Sequence, residues 1–251
     1  MSEEKLNVSI VITTFNRAPL LRKTLNSFVG QSYKDFEVVV VDDGTDQQTP
    51  QVCKESWPFS LRYYRVIRPY VGKNRSPGPV INFAVRQAIG DVVILQNAEC
   101  MHVGNVISRL VEEVTPQNVV LAQTHHLSPT GVDLGVLRSH DIEREGQALF
   151  FCGAIYVDWF YDLRGMDEDF VYPTCEDNDF SHRLKAAGAK FVYLHDAVVH
   201  HQWHPTAGGM LLNETNQSLK LLKIKTSEMN AGRLSWCRNQ GRPWGNLPYE
   251  K

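Results

Sequence analysis

Three apolar, β-branched runs, each broken off by a polar step, constrain this chain most. They are Val8-Ser9-Ile10-Val11-Ile12, Phe36 to Val41 and Asp91 to Leu95. Near-continuous runs of this kind suit strands buried on both faces of a parallel sheet. Helical spacing lies between them. Pro19 sits where a first helical turn tolerates it, and Leu21, Leu25 and Phe28 follow at i, i+4 and i+7. Leu61 to Ile67 reads as a further strand, and Pro79 to Ile89 as a helix stopped by Gly90. The order predicts an α/β fold with a mostly parallel, doubly wound central sheet flanked by helices and joined by right-handed crossovers. Ligands of such sheets gather at the carboxyl ends of the strands, and Thr14, Asp43 and Glu99 each fall just past one.

The second half is less regular. Val119 to Thr124 and Ala148 to Val157 read as strands, Trp159 to Leu163 as a short helix, and Glu176 to Ala187 as a helix ended by Gly188. Lys190 to Leu194 and Ala197-Val198-Val199 read as strands that lead into His200-His201-Gln202-Trp203-His204. A last helix runs from about Leu212 to Asn230, with Leu212, Leu219 and Leu222 as packing residues. The tail from Gly232 to Lys251 reads as a loop or lid, with Gly208-Gly209 as its hinge. No repeat or clean linker divides the chain. One domain over residues 1–205 is expected, with a nucleotide-binding half of about 7–100 and an acceptor half of about 101–205. Residues 206–251 form its C-terminal helix and tail.

Composition narrows the partners. A net charge of −2 over 251 residues gives no global field toward nucleic acid or anionic lipid, and no clear nucleic-acid patch stands out. Five cysteines, odd in number and without a CxxC pair, argue against a zinc or disulfide framework and for a reducing, cytoplasmic setting. No run approaches a membrane span, and Val8 to Ile12 is too short for a signal h-region. Any membrane contact is expected to be peripheral.

Several polar steps carry chemistry, each with a plainer reading beside it. Glu176-Asp177-Asn178-Asp179 opens a helix, where acids are favoured by the dipole or can be aimed at a substrate. Asn97 and Glu99, at the end of an apolar run, offer oxygens that suit Mg2+ or Mn2+, or form a polar strand end without metal. Asp42-Asp43-Gly44 is either a turn or a pair of carboxylates able to accept from uracil N3–H or ribose hydroxyls. In Thr14-Phe15-Asn16, Asn16 suits a helix cap and Phe15 suits base stacking. Lys73-Asn74-Arg75 before a helix suits phosphate, or a solvated loop. Three histidines within five residues point to a metal ligand, His200 first, then His201 and His204. Trp203 among them could be core packing. His125 and His126 receive no role.

Four blocks in order carry a family resemblance. Val8 to Arg17, Val39-Val40-Val41-Asp42-Asp43-Gly44-Thr45, Arg164-Gly165-Met166-Asp167-Glu168-Asp169-Phe170, and Glu176-Asp177 with Arg183-Leu184 and Gly188 are similar to blocks of family 2 glycosyltransferases with the GT-A fold. The resemblance spans about residues 7–205. It implies inverting transfer of a sugar from a nucleotide-diphosphate donor, a UDP-sugar above all, to a hydroxyl of a glycan or other acceptor. It implies Thr14, Phe15, Asn16 and Asp43 at the nucleotide, with Asp42 and Asn97 nearby, and Mn2+ or Mg2+ on Asn97, Glu99 and a histidine; Arg75 joins the nucleotide site through the phosphate reading above. It makes Asp177 the general base, with Glu176 orienting the acceptor and Asp179 as the fallback base. The chain departs from the usual Asp-x-Asp step, since Asn97-Ala98-Glu99 has one formal charge fewer and should hold metal more weakly. Two other classes stay open. A nucleotidyltransferase would want a glycine-rich basic loop after its first strand, which Thr13-Thr14-Phe15-Asn16 is not. Asn97 leaves room for a non-catalytic nucleotide-sugar binder.

Overall fold

The computed structural model describes residues 7–68, 75–137, 149–205 and 212–251. Lys73-Asn74, Ala148 and the Gly208-Gly209 step lie outside them. The first half is a parallel, wound sheet. Strands β1 (Val8–Thr14), β2 (Phe36–Asp42), β3 (Ser60–Val66) and β4 (Val92–Asn97) stand in the order β3-β2-β1-β4, all parallel. The helices α1 (Ala18–Val29), α2 (Gln48–Cys53) and α3 (Gly78–Gln87) connect them. All seven residues of β2 are buried, as its unbroken apolar run requires.

Period-2 alternation sends each strand's side chains to two cores. On one face Ile10, Ile12, Val38 and Val40 pack under Leu21, Leu25 and Phe28 of α1. On the other Val11, Val39, Val41 and Val93 meet Val80, Phe83 and Ala84 of α3. Burying each large aliphatic or Phe side chain stabilises the fold by about 1.5–3 kcal/mol relative to exposure.

Beyond β4 the sheet becomes mixed. β8 (Cys152–Tyr156) runs antiparallel to β4, and β6 (Asn118–Leu127) antiparallel to β8. β9 (Lys190–His201) lies parallel to β6, and β5 (Cys100–Val103) antiparallel to β9. β7 (Asp133–Val136) folds back on β6. The two strands expected within 190–199 are one, and their apparent break is a register shift that passes from Leu194 to Val198 along β6. The helices α4 (Val106–Glu113), α5 (Asp158–Leu163), α6 (Glu176–Ala186) and α7 (Leu212–Asn230) complete the fold. In α7 Leu222 is buried while Leu219 is exposed, so only the first of these packs as expected.

The tail is docked rather than held off as a lid. Trp244, Arg238 and Asn239 are buried, and β10 (Tyr249–Glu250) pairs antiparallel with β3 at the sheet edge. All five cysteines are free thiols. Among the described residues no helix is long and apolar enough to cross a membrane.

Candidate active site

The carboxyl ends of β1 and β2 are laced together before any ligand is considered. Asn16, in the left-handed region at φ 52°, accepts hydrogen bonds on Oδ1 from Thr45 N (2.7 Å) and Asp46 N (3.0 Å). That crossing leaves no room at Gly44, where a Cβ would collide with Asn16 Oδ1 and stand 2.7 Å from Asn16 N. Asp42 is wholly buried and already engaged. Its Oδ2 accepts from Tyr63 Oη (2.8 Å) and Arg65 Nη2 (2.7 Å), and its Oδ1 from Gly44 N (2.7 Å). The structure therefore corrects the reading of Asp42 as a nucleotide ligand, because both of its oxygens hold the loop. Asn16 is likewise committed through its carbonyl oxygen to bracing.

Asp43 faces the other way. Arg68 Nη1 donates to its Oδ2 (2.8 Å), Arg75 Nη2 lies 3.3 Å from its Oδ1, and Oδ1 accepts no hydrogen bond from the described residues. Burial pushes this carboxyl above its ordinary value, against the pull of Arg68 and Arg75. Arg75 also lies over the partly exposed Phe15 ring at 5.5 Å, and the buried Thr14 Oγ1 has no hydrogen-bond partner. Thr14, Phe15, Asp43 and Arg75 thus form one patch with an aromatic face, a cation and acceptors to offer.

The second patch centres on Glu99, two residues past β4. Arg17 Nη1 is ion-paired to its Oε1, and His201 Nε2 (3.5 Å) and His204 Nε2 (3.7 Å) approach the same oxygen. Burial opposes the charge on Glu99. The two imidazoles and Arg17 outweigh it and hold the carboxyl well below its ordinary value. Reciprocally, Glu99 raises the His204 imidazole. The buried nitrogens His201 Nδ1 and His204 Nε2 have no hydrogen-bond partner among the described residues. One carboxylate and two imidazoles, with potential ligand atoms all within 4.8 Å, fit a divalent ion. Asn97 ends β4 beside them.

His200 is not in this group, which corrects its place as first choice. Neighbouring residues of a strand point to opposite faces, and it is His201 that turns toward Glu99. His200 lies across the strand with Asp133, 3.4 Å from its Oδ2. Trp203 is exposed, not core. The sequence signal that could have chosen among the histidines was the alternation through Ala197 and Val199, both buried and in phase with His201. Arg17 was missed because nothing in the local pattern links it to Glu99.

The third patch is the start of α6. Thr174 (φ 89°) and Cys175 (φ 73°) both adopt the left-handed region, a conformation that costs non-glycine residues about 1–3 kcal/mol each and collects at functional sites. They deliver Glu176 and Asp177 as the first residues of the helix. Burial, then the neighbouring Asp177 charge, pushes the Glu176 carboxyl up to about 8, and its Oε2 has no hydrogen-bond partner. Asp177 is half-buried and accepts from Asn178 N at 2.8 Å. Asp179, the fallback base, is removed from that role. It is buried between Arg183 (Nε, 2.6 Å) and Arg238 (Nη2, 3.1 Å). The preceding block is tied to the C-terminal segment, with Lys225 and Arg238 on Asp167, and Gly245 N donating to Glu168 Oε1 (2.7 Å).

Comparison with known proteins bears on the family and the fold. The family model described as glycosyl transferase family 2 matches residues 9–157. An uncharacterized glycosyltransferase of Nostoc sp. is 29% identical over 122 residues, 49% of this chain and 37% of its own. The chain spans well under two thirds of the length of such curated relatives. Among solved structures, S. aureus TarS 1-349 in complex with UDP superposes with a TM-score of 0.65 at 19% identity, over 87% of this chain and 65% of that one. Mannosyltransferase PcManGT from Pyrobaculum calidifontis, in complex with GDP-Man and Mn2+, gives 0.63 at 17% identity, over 93% and 66%. The fold is the one these proteins share, a mixed α/β sheet with flanking helices of the GT-A type.

Proposed function

The chain belongs to glycosyl transferase family 2, and from that premise we propose that it transfers a sugar, with inversion, from a nucleoside-diphosphate donor to an acceptor hydroxyl. The observation that carries this reading is the convergence of Glu99, His201 and His204 past the end of β4, on the sheet edge that also bears Thr14 and Asp43. The nucleoside lies against Phe15, where an aromatic face takes a base, and Asp43 Oδ1 accepts from base N–H or ribose hydroxyl. UDP is the favoured donor nucleotide, since TarS binds UDP in the same fold, with PcManGT and its GDP-Man as the counterexample to test against.

Glu99, His201 and His204 would hold a divalent ion, Mn2+ or Mg2+, which when bound neutralises charge on the diphosphate. Imidazole ligands favour Mn2+ of the two. Arg17 and Arg75 supply guanidinium groups suited to diphosphate oxygens. Asp177 takes the proton from the acceptor hydroxyl as its oxygen attacks the anomeric carbon, and the nucleoside diphosphate leaves from the opposite face. Burial and the neighbouring Asp177 push the Glu176 carboxyl up to about 8, which suits Glu176 to orienting the acceptor rather than to taking its proton. A reducing, cytoplasmic setting suits the free thiols.

The test is thermal melting with UDP-, GDP-, dTDP- and CMP-sugars, each with and without Mn2+, on the parent and on Asp177→Asn. One nucleotide class should raise the melting temperature, more so with Mn2+. Asp177→Asn should keep that shift while transfer falls by roughly 10²–10⁴. Transfer at the parent rate would remove Asp177 as the base. No shift with any nucleotide would remove the donor site.

A further inference from the structure

The ribbon formed by β6 and β9 carries a second convergent set on its other face. The strands run parallel with His125 opposite His200 and His126 opposite His201. Alternation sends the two pairs to opposite sides. His201 serves the Glu99 side. His125 and His200 stack on the far side, with ring centroids 6.0 Å apart and planes 29° from parallel. β7 then returns along β6 and sets Asp133 against both, with Oδ2 2.8 Å from His125 Nδ1 and 3.4 Å from His200 Nε2.

The 2.8 Å spacing is that of a hydrogen bond whose proton an ion would replace, the 3.4 Å spacing is that of neighbouring ligands, and all three candidate atoms lie within 4.8 Å of one another. With bonds of about 2.0–2.1 Å, tetrahedral ligand atoms stand roughly 3.3 Å apart. The groups around the set are arranged to hold it. Gly135 N donates to Asp133 Oδ1 (2.8 Å), which leaves Oδ2 to point inward. The Gln123 side-chain amide lies between His125 Nε2 (2.8 Å) and His195 Nδ1 (2.9 Å). Which end of such an amide is oxygen is an assignment. The structure sets the amide nitrogen toward His125 and the oxygen toward His195; turning the amide over lets its oxygen accept from His125 Nε2–H, which frees the Nδ1 lone pair for an ion, and lets the NH2 donate to His195 Nδ1. Histidine ligands are ordinarily oriented by such an outer hydrogen bond. His125 and His200 are half-buried and Asp133 is exposed, so a water can complete the coordination.

We propose that His125, Asp133 and His200 form a second divalent-metal site, separate from the one at Glu99, which clasps β7 onto the β6–β9 ribbon. Two imidazoles and one carboxylate suit a divalent transition metal, and Zn2+ is the probe chosen for it. Neither the donor site nor the general base is needed for this inference.

Zinc titration of the full chain, stripped with chelator and followed with a competing indicator dye, tests it. The parent should take two equivalents of Zn2+. Asp133→Ala and His125→Ala should each lose one of them, and Glu99→Gln the other. Asp133 is exposed, so its truncation should melt like the parent in EDTA. Zinc uptake unchanged by Asp133→Ala would overturn the proposal and reduce the cluster to an ordinary His–Asp ion pair. A single equivalent lost in Asp133→Ala but kept in Glu99→Gln would support it while removing the metal from the donor site. In Glu99→Gln loaded with one Cu2+, electron-spin-echo modulation should show two coupled imidazoles, and a spectrum without them would also overturn it.

Discussion

Adjacent residues of one type divide the work at this site. Asp42 is buried in a cage of Tyr63, Arg65 and Gly44 N, while Asp43 keeps an oxygen without a hydrogen bond. His201 faces Glu99 while His200 faces Asp133. Glu176 is buried with no cationic partner among the described residues, while Asp177 is half-buried. The sequence marks each pair but cannot split it, because the choice depends on which face the backbone turns outward and on partners from strands many residues away. The Glu176 assignment has a pH consequence. Its folded-state pKa, pushed up by burial and by Asp177, exceeds the ordinary 4.5 and reaches about 8. Its contribution to stability is complete below pH 4.5 and is lost as pH rises through 8. Urea midpoints measured between pH 5 and 9 should fall with pH, and Glu176→Gln should flatten most of that slope. An unchanged slope in the variant would place the titrating group elsewhere.

At the scale of elements, long apolar runs were legible and short ones were not. β1, β2 and β4 and helices α1, α3 and α6 follow from periodicity, because burial on both faces or on one stripe leaves a repeating trace. β5 is four residues and β7 four, too short for a period to register. β5 nonetheless lies alongside the His200–His201 end of β9, and β7 supplies Asp133. The loops after β1 and β2 behave as one unit, since Asn16 accepts from the backbone of both Thr45 and Asp46. Gly44→Ala should therefore break that brace, costing about 1–3 kcal/mol as an overpacked substitution, and should weaken nucleotide binding through displacement of Asp43. Chemical denaturation and nucleotide titration of the same variant would check both halves. Loss of stability with intact binding would show that Asp43 does not depend on the brace.

Across the whole molecule, the parallel half was foreseen and the mixed half only in pieces. An antiparallel strand such as β8 looks like any buried strand in sequence, and its direction is set by the chain's route. The docking of the tail is not legible in the sequence because its apolar content is sparse, although Trp244 packs within the same core as α3 and α5. Trp244→Ala should cost about 3–5 kcal/mol, as core aromatic truncations do, and a variant within 0.5 kcal/mol of the parent (about the scatter of surface substitutions) would mean that the tail is loosely held.

The docking of that tail also imposes an order on biosynthesis. Asp167 and Asp179 are buried acids that share Arg238, and among the described residues the outer neighbour of β3 is Tyr249–Glu250. On the ribosome these partners emerge after everything they complete. Until then the growing chain holds two acids short of a cation and an open strand edge. Those are the conditions in which a nascent sheet recruits a neighbouring chain, or a chaperone, in place of its own later residues.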